Sequence, residues 1–478
     1  MSTLRSLTPF EQLLLRDQRP GFAMCFFILC TVEGPLDLHR LRGALERAAG
    51  RHPLLCSRVR DAWWRPSWQA PDVLPILEAF PLGSPPPGVR HGPWRSIDIR
   101  RTSGVRMVAI ERASDAWDVV LMIQHAACDG LSGLEFFGDV WSEYHGSEPA
   151  PFRTPARDVR RRSDSTAAVA EPSAASPSTP PPQKAPTDAG PTTSDLGGET
   201  ARFAGFLPAM LARGPALPPS LSRSSAPPGA GPSLPFVTVS FTAEETTSIK
   251  QRAAANGASL NDVAVAAVMR AVAAWNEDAG HPARQIRITM PASLKSPGTR
   301  APACNDMGYA FLDRTAEQCR APVDLIRSLA IASRWIQEHR AAGTFLDTLA
   351  IIDRFPPALW LLTRLPVPLS TAVVSFVGNV GPRLRANVPR DGGCDLPGGL
   401  RISAVKGAPP IRPGTRLGVG LVIYDGRLHV TALGDTGALG EAAPPLLTAA
   451  IRTAILECAA SLPTSPPPPA TITSGTPV

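Results

Sequence analysis

From about residue 146 to residue 232 the chain runs through APFRTPARDVRRRSDS, EPSAASPSTPPPQKAPTDAGPTTSD and APPGAGPSLP. Proline, serine and small residues cannot bury enough apolar surface to offset the entropy of ordering, so this stretch reads as a largely disordered linker. Everything else must fold around that interruption, as one unit over 1–145 and another over 233–462. The closing PTSPPPPATITSGTPV gives a disordered tail over 463–478. With 478 residues, 44 % of them apolar, both flanking units are large enough to bury a real core.

The first unit opens with a strand from Phe22 to Val32 and a helix from Leu38 to Ala49, apolar at Leu38, Leu41, Leu45 and Ala48. Short strands follow, the last of them WDVVLMI. The second unit begins at PFVTVSFT, where Val237, Val239 and Phe241 alternate on one face. Thr242 and Glu245 make a capping box opening a helix that Gly257 closes. SLNDVAVAAVMRAVAAW and VDLIRSLAIASRWIQEHRA read as helices, QIRITMPASL as a strand, and LGVGLVIYDGRLHVTAL as a hairpin turning at Asp425–Gly426. Each unit is therefore a sheet flanked by helices, and the fold class is α/β (α+β).

A net charge of +7 and a pI near 9.2 suit anionic partners such as a coenzyme, an acidic carrier protein or a phospholipid surface, although solvated surface arginine gives the same balance. Nothing in the pattern points to nucleic acid. The eight cysteines include no CxxC pair and no metal-ligand spacing with histidine, so they read as reduced cytoplasmic thiols and no metal is expected. The apolar GFAMCFFILCTV is too short to span a bilayer. FLDTLAIIDRFPPALWLLTRLPVPLSTAVVSFVGNV is longer but broken by Asp353, Arg354, Arg364 and several prolines; its pieces could lie on a membrane surface, and packing inside the fold is the commoner fate.

One stretch carries chemistry. QHAACDGLSG, residues 124–133, follows the apolar WDVVLMI and precedes the amphipathic LEFFGDVWSEY. A histidine leaving a buried strand can place its ring in a cleft, as a general base requires; a satisfied structural histidine is the alternative reading of His125. Asp129 is too close in sequence to be assumed its partner, and a carboxylate there is expected to pair with a distant cation and fix the turn. Gly130 would permit a sharp reversal or a close approach by a ligand. No G-x-S-x-G, P-loop, H-E-x-x-H or G-x-G-x-x-G competes with this motif. His52 reads as a packing residue at a helix end, and capping explains Asn261 and Asp262 without chemistry.

HAACDG resembles the HxxxDG core of the acyltransferase superfamily that holds condensation domains, wax ester synthase/diacylglycerol acyltransferases and chloramphenicol acetyltransferase. LTPFEQLLL and LHRLRGALERAAGRHPLL are similar to the family's opening. SLNDVAVAAVMRAVAAW, MPASLK, ACNDMGYAFL, SFVGNVGP and VIYDGRLHVTALGD are similar to segments of its wax ester synthase branch, in the same order. The resemblance spans both units and implies two chloramphenicol-acetyltransferase-like lobes in a V, with the site in a tunnel between them.

It further implies transfer of an acyl group from acyl-CoA or an acyl-carrier protein to a small alcohol or amine, the thioester being substrate and no cofactor being needed. His125 would be the general base, and Asp129 a structural residue paired with a cation of the second lobe. Ser375 and Asn379 would be oxyanion donors, with Gln124 and Lys295 as further substrate-binding candidates. Gln124 stands where many relatives have a first histidine, Lys295 where the branch has arginine, and SFVGNVGP has extra residues, Phe376, Val377 and Gly378, between its serine and asparagine. These departures keep two other functions open: a binding or recruitment module without catalysis, and an epimerase-like relative. The expected location is cytoplasmic, with any membrane contact peripheral and on the inner face.

Overall fold

The computed structural model describes residues 3–62, 65–84, 94–153, 214–220, 234–355, 357–364, 368–384, 388 and 395–464. The first half supplies strands β1 (Thr3–Ser6), β2 (Cys25–Glu33), β3 (Val59–Arg60), β4 (Ser67–Gln69), β5 (Ile76–Phe80), β6 (Val105–Ala113) and β7 (Ala116–Gln124). The second supplies β8 (Val237–Ser240), β9 (Gln285–Ser293), β10 (Met307–Thr315), β11 (Ala372–Asn379), β12 (Asp395–Leu396), β13 (Leu400–Ala408), β14 (Leu417–Tyr424) and β15 (Arg427–Gly434).

Two six-stranded sheets form the two lobes, in the orders β12-β13-β2-β7-β6-β5 and β10-β9-β11-β14-β15-β8. In the first, β2 and β7 pair antiparallel from Cys25 opposite Gln124 to Glu33 opposite Ala116, and the apolar run of β7 is buried on both faces. Helix Gly130–His145 packs on this sheet so closely that a Cβ at Gly133 would stand 2.8 Å from the Phe26 ring, which is why glycine is needed there. The second sheet is covered by helices Leu260–Asp278, Pro322–Glu338 and Ala443–Ser461, whose apolar stripes form its core. The first lobe's core also takes in Met307, Phe311, Val422 and Tyr424 of the second half, so the lobes meet through packed side chains.

The division of the chain at residue 233 is not a division between the sheets. Strands β12 and β13 leave the second half and extend the first lobe's sheet, β13 pairing with β2 from Arg401 opposite Glu33 to Ala408 opposite Phe27. The apolar Leu400, Ile402, Val405 and Ala408 bury against an edge that would otherwise be open. Where β13 passes β14 the backbones nearly touch: a Cβ at Gly420 would overlap the carbonyl oxygen of Gly407.

Parts of the expected linker are likewise fixed. Arg153 and Arg300 exchange backbone hydrogen bonds of 2.8 and 2.9 Å. Residues 214–220 lie on the second lobe, where Ala216 N–H donates to Gln285 O, and Trp275 Nε1 and Arg416 Nη1 donate to the carbonyls of Pro219 and Pro218. Carbonyls in a proline-rich stretch have few N–H partners of their own and take side-chain donors instead. RDVRRR, FAGFLPAMLARG and most of the expected tail lie outside the described residues.

The long apolar region breaks into helices Ala342–Ile352 and Ala358–Arg364 and strand β11. Among the described residues no single helix is long and apolar enough to cross a membrane; the one helix pair that is, Ala243–Ala255 with Leu260–Asp278, is bent by 100°, and its second helix lies in the second lobe's core.

Candidate active site

A cavity of about 520 Å³ lies between the lobes, walled by β2 and Leu131 and Leu134 of the first and by β9, β10, β11 and β14 of the second. Its wall is mainly apolar. Met307, Tyr309 and Phe311 alternate along β10, so that this strand turns one face to the cavity, while Val373, Ser375, Phe376 and Val377 line it from β11.

His125 lines this cavity at the point where β7 ends. Its N–H donates to Met24 O at 2.8 Å, its ring meets Phe26 edge-on at 5.2 Å, and Asn305 Nδ2 donates to the carbonyls of both His125 and Ala126 at 2.9 Å. The second lobe therefore fixes the turn that presents the ring. Burial lowers the pKa of His125 below the ordinary 6.5, with the Asp129 charge acting in the opposite direction, so the ring is neutral at pH 7. Nδ1 is buried and has no hydrogen-bond partner among the described residues.

Among the described residues Asp129 has no cation as an ion-pair partner, contrary to expectation. It caps helix Gly130–His145, Oδ1 accepting from Ser132 N–H at 2.8 Å, while Oδ2 accepts from Asp306 N–H of the second lobe at 2.9 Å. Both oxygens are satisfied by backbone donors. Lys295 reaches the next turn instead: Nζ donates to Ser132 Oγ at 2.7 Å and stands 3.8 Å from Glu135 Oε2. It ties the lobes together and does not line the cavity. Gly130 is the first helical residue and lacks the left-handed φ that a sharp reversal would need. It does border the cavity, and a Cβ there would meet nothing within 4 Å.

Gln124 is also a brace and lies outside the cavity lining. Its Oε1 accepts from Ala126 N–H at 2.6 Å, and its Nε2 donates to Gln18 Oε1 at 3.1 Å. Of the two oxyanion candidates, Ser375 faces the cavity and Asn379 does not. Within SFVGNVGP, β11 has a bulge between Phe376 and Gly378, with Val377 the extra residue and Gly378 at φ +78°. This carries Asn379 to the strand's exposed end, where its Oδ1 accepts from Gly381 N–H at 3.2 Å.

Two asparagines act otherwise than the sequence suggested: Asn305 had no assigned role, and Asn261 was expected to serve the helix cap. Asn305 holds the His125 turn. Asn261 lines the cavity with a buried Oδ1 that has no partner among the described residues, while Ser259 and Asp262 alone make the helix cap. His52 lies outside the cavity and is buried; Nδ1 accepts from Ala303 N–H at 2.8 Å, so the proton sits on Nε2, which donates to Asp139 at 3.0 Å. Asp139 also pairs with Arg51 and with Arg300 of the second half. Among the described residues no cluster of three or more His, Cys, Asp or Glu side chains could hold a metal.

No family model matches the chain. It is 26 % identical over 470 residues, 95 % of its length and 99 % of the relative's, to the uncharacterized protein Rv2305 of Mycobacterium tuberculosis. Among solved structures it is similar to polyketide synthase associated protein 5 from Mycobacterium tuberculosis (17 % identity, TM-score 0.58, 97 % of this chain and 99 % of that one). It is also similar to the first condensation domain of the CDA synthetase (18 %, TM-score 0.60, 97 % and 98 %) and to the epimerization domain from the third module of tyrocidine synthetase B (14 %, TM-score 0.54, 96 % and 98 %). The chain therefore has the two-lobe fold of the condensation domains.

Proposed function

We propose that this protein is an acyltransferase that moves an acyl group from a CoA or carrier-protein thioester to an alcohol or amine, with His125 as general base. The observation that carries the reading is the His125 ring, buried in an inter-lobe cavity on a turn held by contacts from both lobes. As the acceptor attacks the thioester carbonyl, the ring takes its proton. The tetrahedral oxyanion then collapses, expelling the thiolate, which receives that proton. Ser375, which lines the same cavity, would donate to the oxyanion, and confinement between the lobes supplies orientation. Thioester donors are supported by the company the fold keeps, since relatives of known structure belong to peptide synthetases or are associated with polyketide synthases. The reaction needs no cofactor besides the thioester substrate.

An epimerase needs a second proton-transfer group facing the first. Of the groups lining the cavity, Asp129 has both oxygens engaged, while Tyr309 and Lys406 remain. Uptake of solvent deuterium at the carbon next to the thioester, without acyl transfer, would favour that reading. A recruitment module without chemistry would keep its function in His125→Ala. For the acyltransferase, thiol release from a panel of acyl-CoA and acyl-carrier donors should fall roughly 10²–10⁴-fold in that variant, with the thermal midpoint retained. Equal release by wild type and variant overturns the proposal. The base must be unprotonated, so the rate should fall as pH drops through the His125 pKa, giving an acid limb centred below pH 6.5.

A further inference from the structure

The N-terminal helix Pro9–Asp17 and helix Ala358–Arg364 border a second cleft of about 660 Å³, which shares no lining residue with the His125 cavity. Arg16, Arg100, Arg364, Asp61 and Trp360 lie along it. The segment beside it exposes large apolar side chains in close succession: Ile351 by 38 %, Phe355 by 63 %, Trp360 by 48 % and Leu361 by 53 %. Phe355 and Trp360 are two of the three exposed Phe or Trp side chains among the described residues; the third, Phe152, lies under the Arg51 guanidinium at 4.8 Å. An exposed aromatic pair beside aliphatic residues marks a contact surface.

The surrounding charge says what would cover it. Three arginines, Arg16, Arg100 and Arg364, and one carboxylate, Asp61, line the cleft; Arg100 is ion-paired with Asp61 at 2.8 Å, Arg354 is exposed beside Phe355, and the Arg364 guanidinium sits 5.5 Å from the centre of the Trp360 ring. Arginine beside tryptophan at the edge of an apolar patch is the composition that settles at a lipid headgroup layer, the ring in the interface and the guanidinium on phosphate. A second copy of the chain meeting this patch across a two-fold axis would set arginines against arginines.

We propose that this face docks on an anionic phospholipid bilayer, the arginines taking lipid phosphates and Phe355, Trp360 and Leu361 entering the headgroup boundary. The inference stands apart from acyl transfer, and its test needs no turnover. The full-length chain is sedimented with sucrose-loaded vesicles of phosphatidylcholine, with and without phosphatidylglycerol, at low and high salt. Binding should increase with phosphatidylglycerol and weaken in salt. W360S/L361S should lower the partition coefficient about tenfold or more, and R354E/R364E should remove the preference for anionic vesicles. These side chains are exposed, so the thermal midpoint should hold; F355S is the independent second variant and should weaken binding in the same direction. The proposal is overturned if the wild type does not sediment with anionic vesicles, or if W360S/L361S and F355S sediment as wild type. It is also overturned if light scattering shows a dimer that W360S/L361S dissociates while vesicles stay unbound, which would give the face to a second copy.

Discussion

Asp129 and Asp139 belong to one helix, ten residues apart, and both are buried and both reach the second lobe. Their partners differ completely. Asp129 is held by two backbone N–H groups, whereas Asp139 is held by the His52 ring and by Arg51 and Arg300. Position along the helix explains this. At the N-terminus the first N–H groups have no intrahelical acceptor, so a carboxylate finds neutral donors within its own turn. In the body of the helix every N–H is used, and a buried carboxylate must draw cations from elsewhere. The motif carboxylate thus fixes the His125 loop through neutral backbone donors, and the charged brace between the lobes sits roughly 15 Å further along the helix axis.

That contrast can be tested in three steps of decreasing effect. Asp139→Ala should be the most damaging, because it leaves the Arg300 and Arg51 guanidinium groups without their shared counter-charge. A loss of about 3 kcal/mol or more in denaturant unfolding is expected, and a loss near zero would mean that the brace is solvated and the contrast false. Asp129→Asn keeps the shape but turns one accepting oxygen into a donor facing an N–H group. It should cost about 1–3 kcal/mol and lower thiol release more than tenfold, because Asp306 adjoins the Asn305 that holds the His125 turn. If activity survives while stability falls, the carboxylate supports the fold and not the ring. Lys295→Met should be mildest. Glu135, whose pKa burial already raises, can take up a proton when its cation is removed, so the unfolding free energy should shift by about 1 kcal/mol or less. A shift as large as that of Asp139→Ala would make Lys295 the principal tie between the lobes.

What the sequence disclosed follows the range of the forces involved. The Asp425–Gly426 turn was legible because its chemistry is local; both residues take positive φ, 48° and 74°, and join β14 to β15 with Tyr424 opposite Arg427. The Thr242–Glu245 capping box forms as its spacing dictates, with reciprocal bonds of 3.1 and 2.9 Å. His125 could be placed at the end of a buried strand, since WDVVLMI has no other reading. The partner of Asp129 could not be read, because cation and backbone donor satisfy a carboxylate equally well and sequence distance does not rank them. Asn379 was misplaced because a bulge re-aims every residue after it. Asn305 and Asn261 act only where two remote segments meet, and neither has a local pattern that announces such a meeting. The partner of β13 was hidden for the same reason: LRISAVKGA shows that a strand exists and not which sheet receives it.

The crossing of β13 bears on how the chain is made. Strand β2 ends at Glu33, and the strand that covers its outer edge begins at Leu400. At roughly 5–20 residues per second, a ribosome delivers β13 on the order of tens of seconds after β2 has emerged. Throughout that interval CFFILCTV, eight residues without a charge, has an open side on which any extended peptide could pair. The first lobe's sheet is therefore complete only once the far half of the polypeptide has arrived, and a chain ending anywhere before residue 400 would lack the strand that covers the edge of β2.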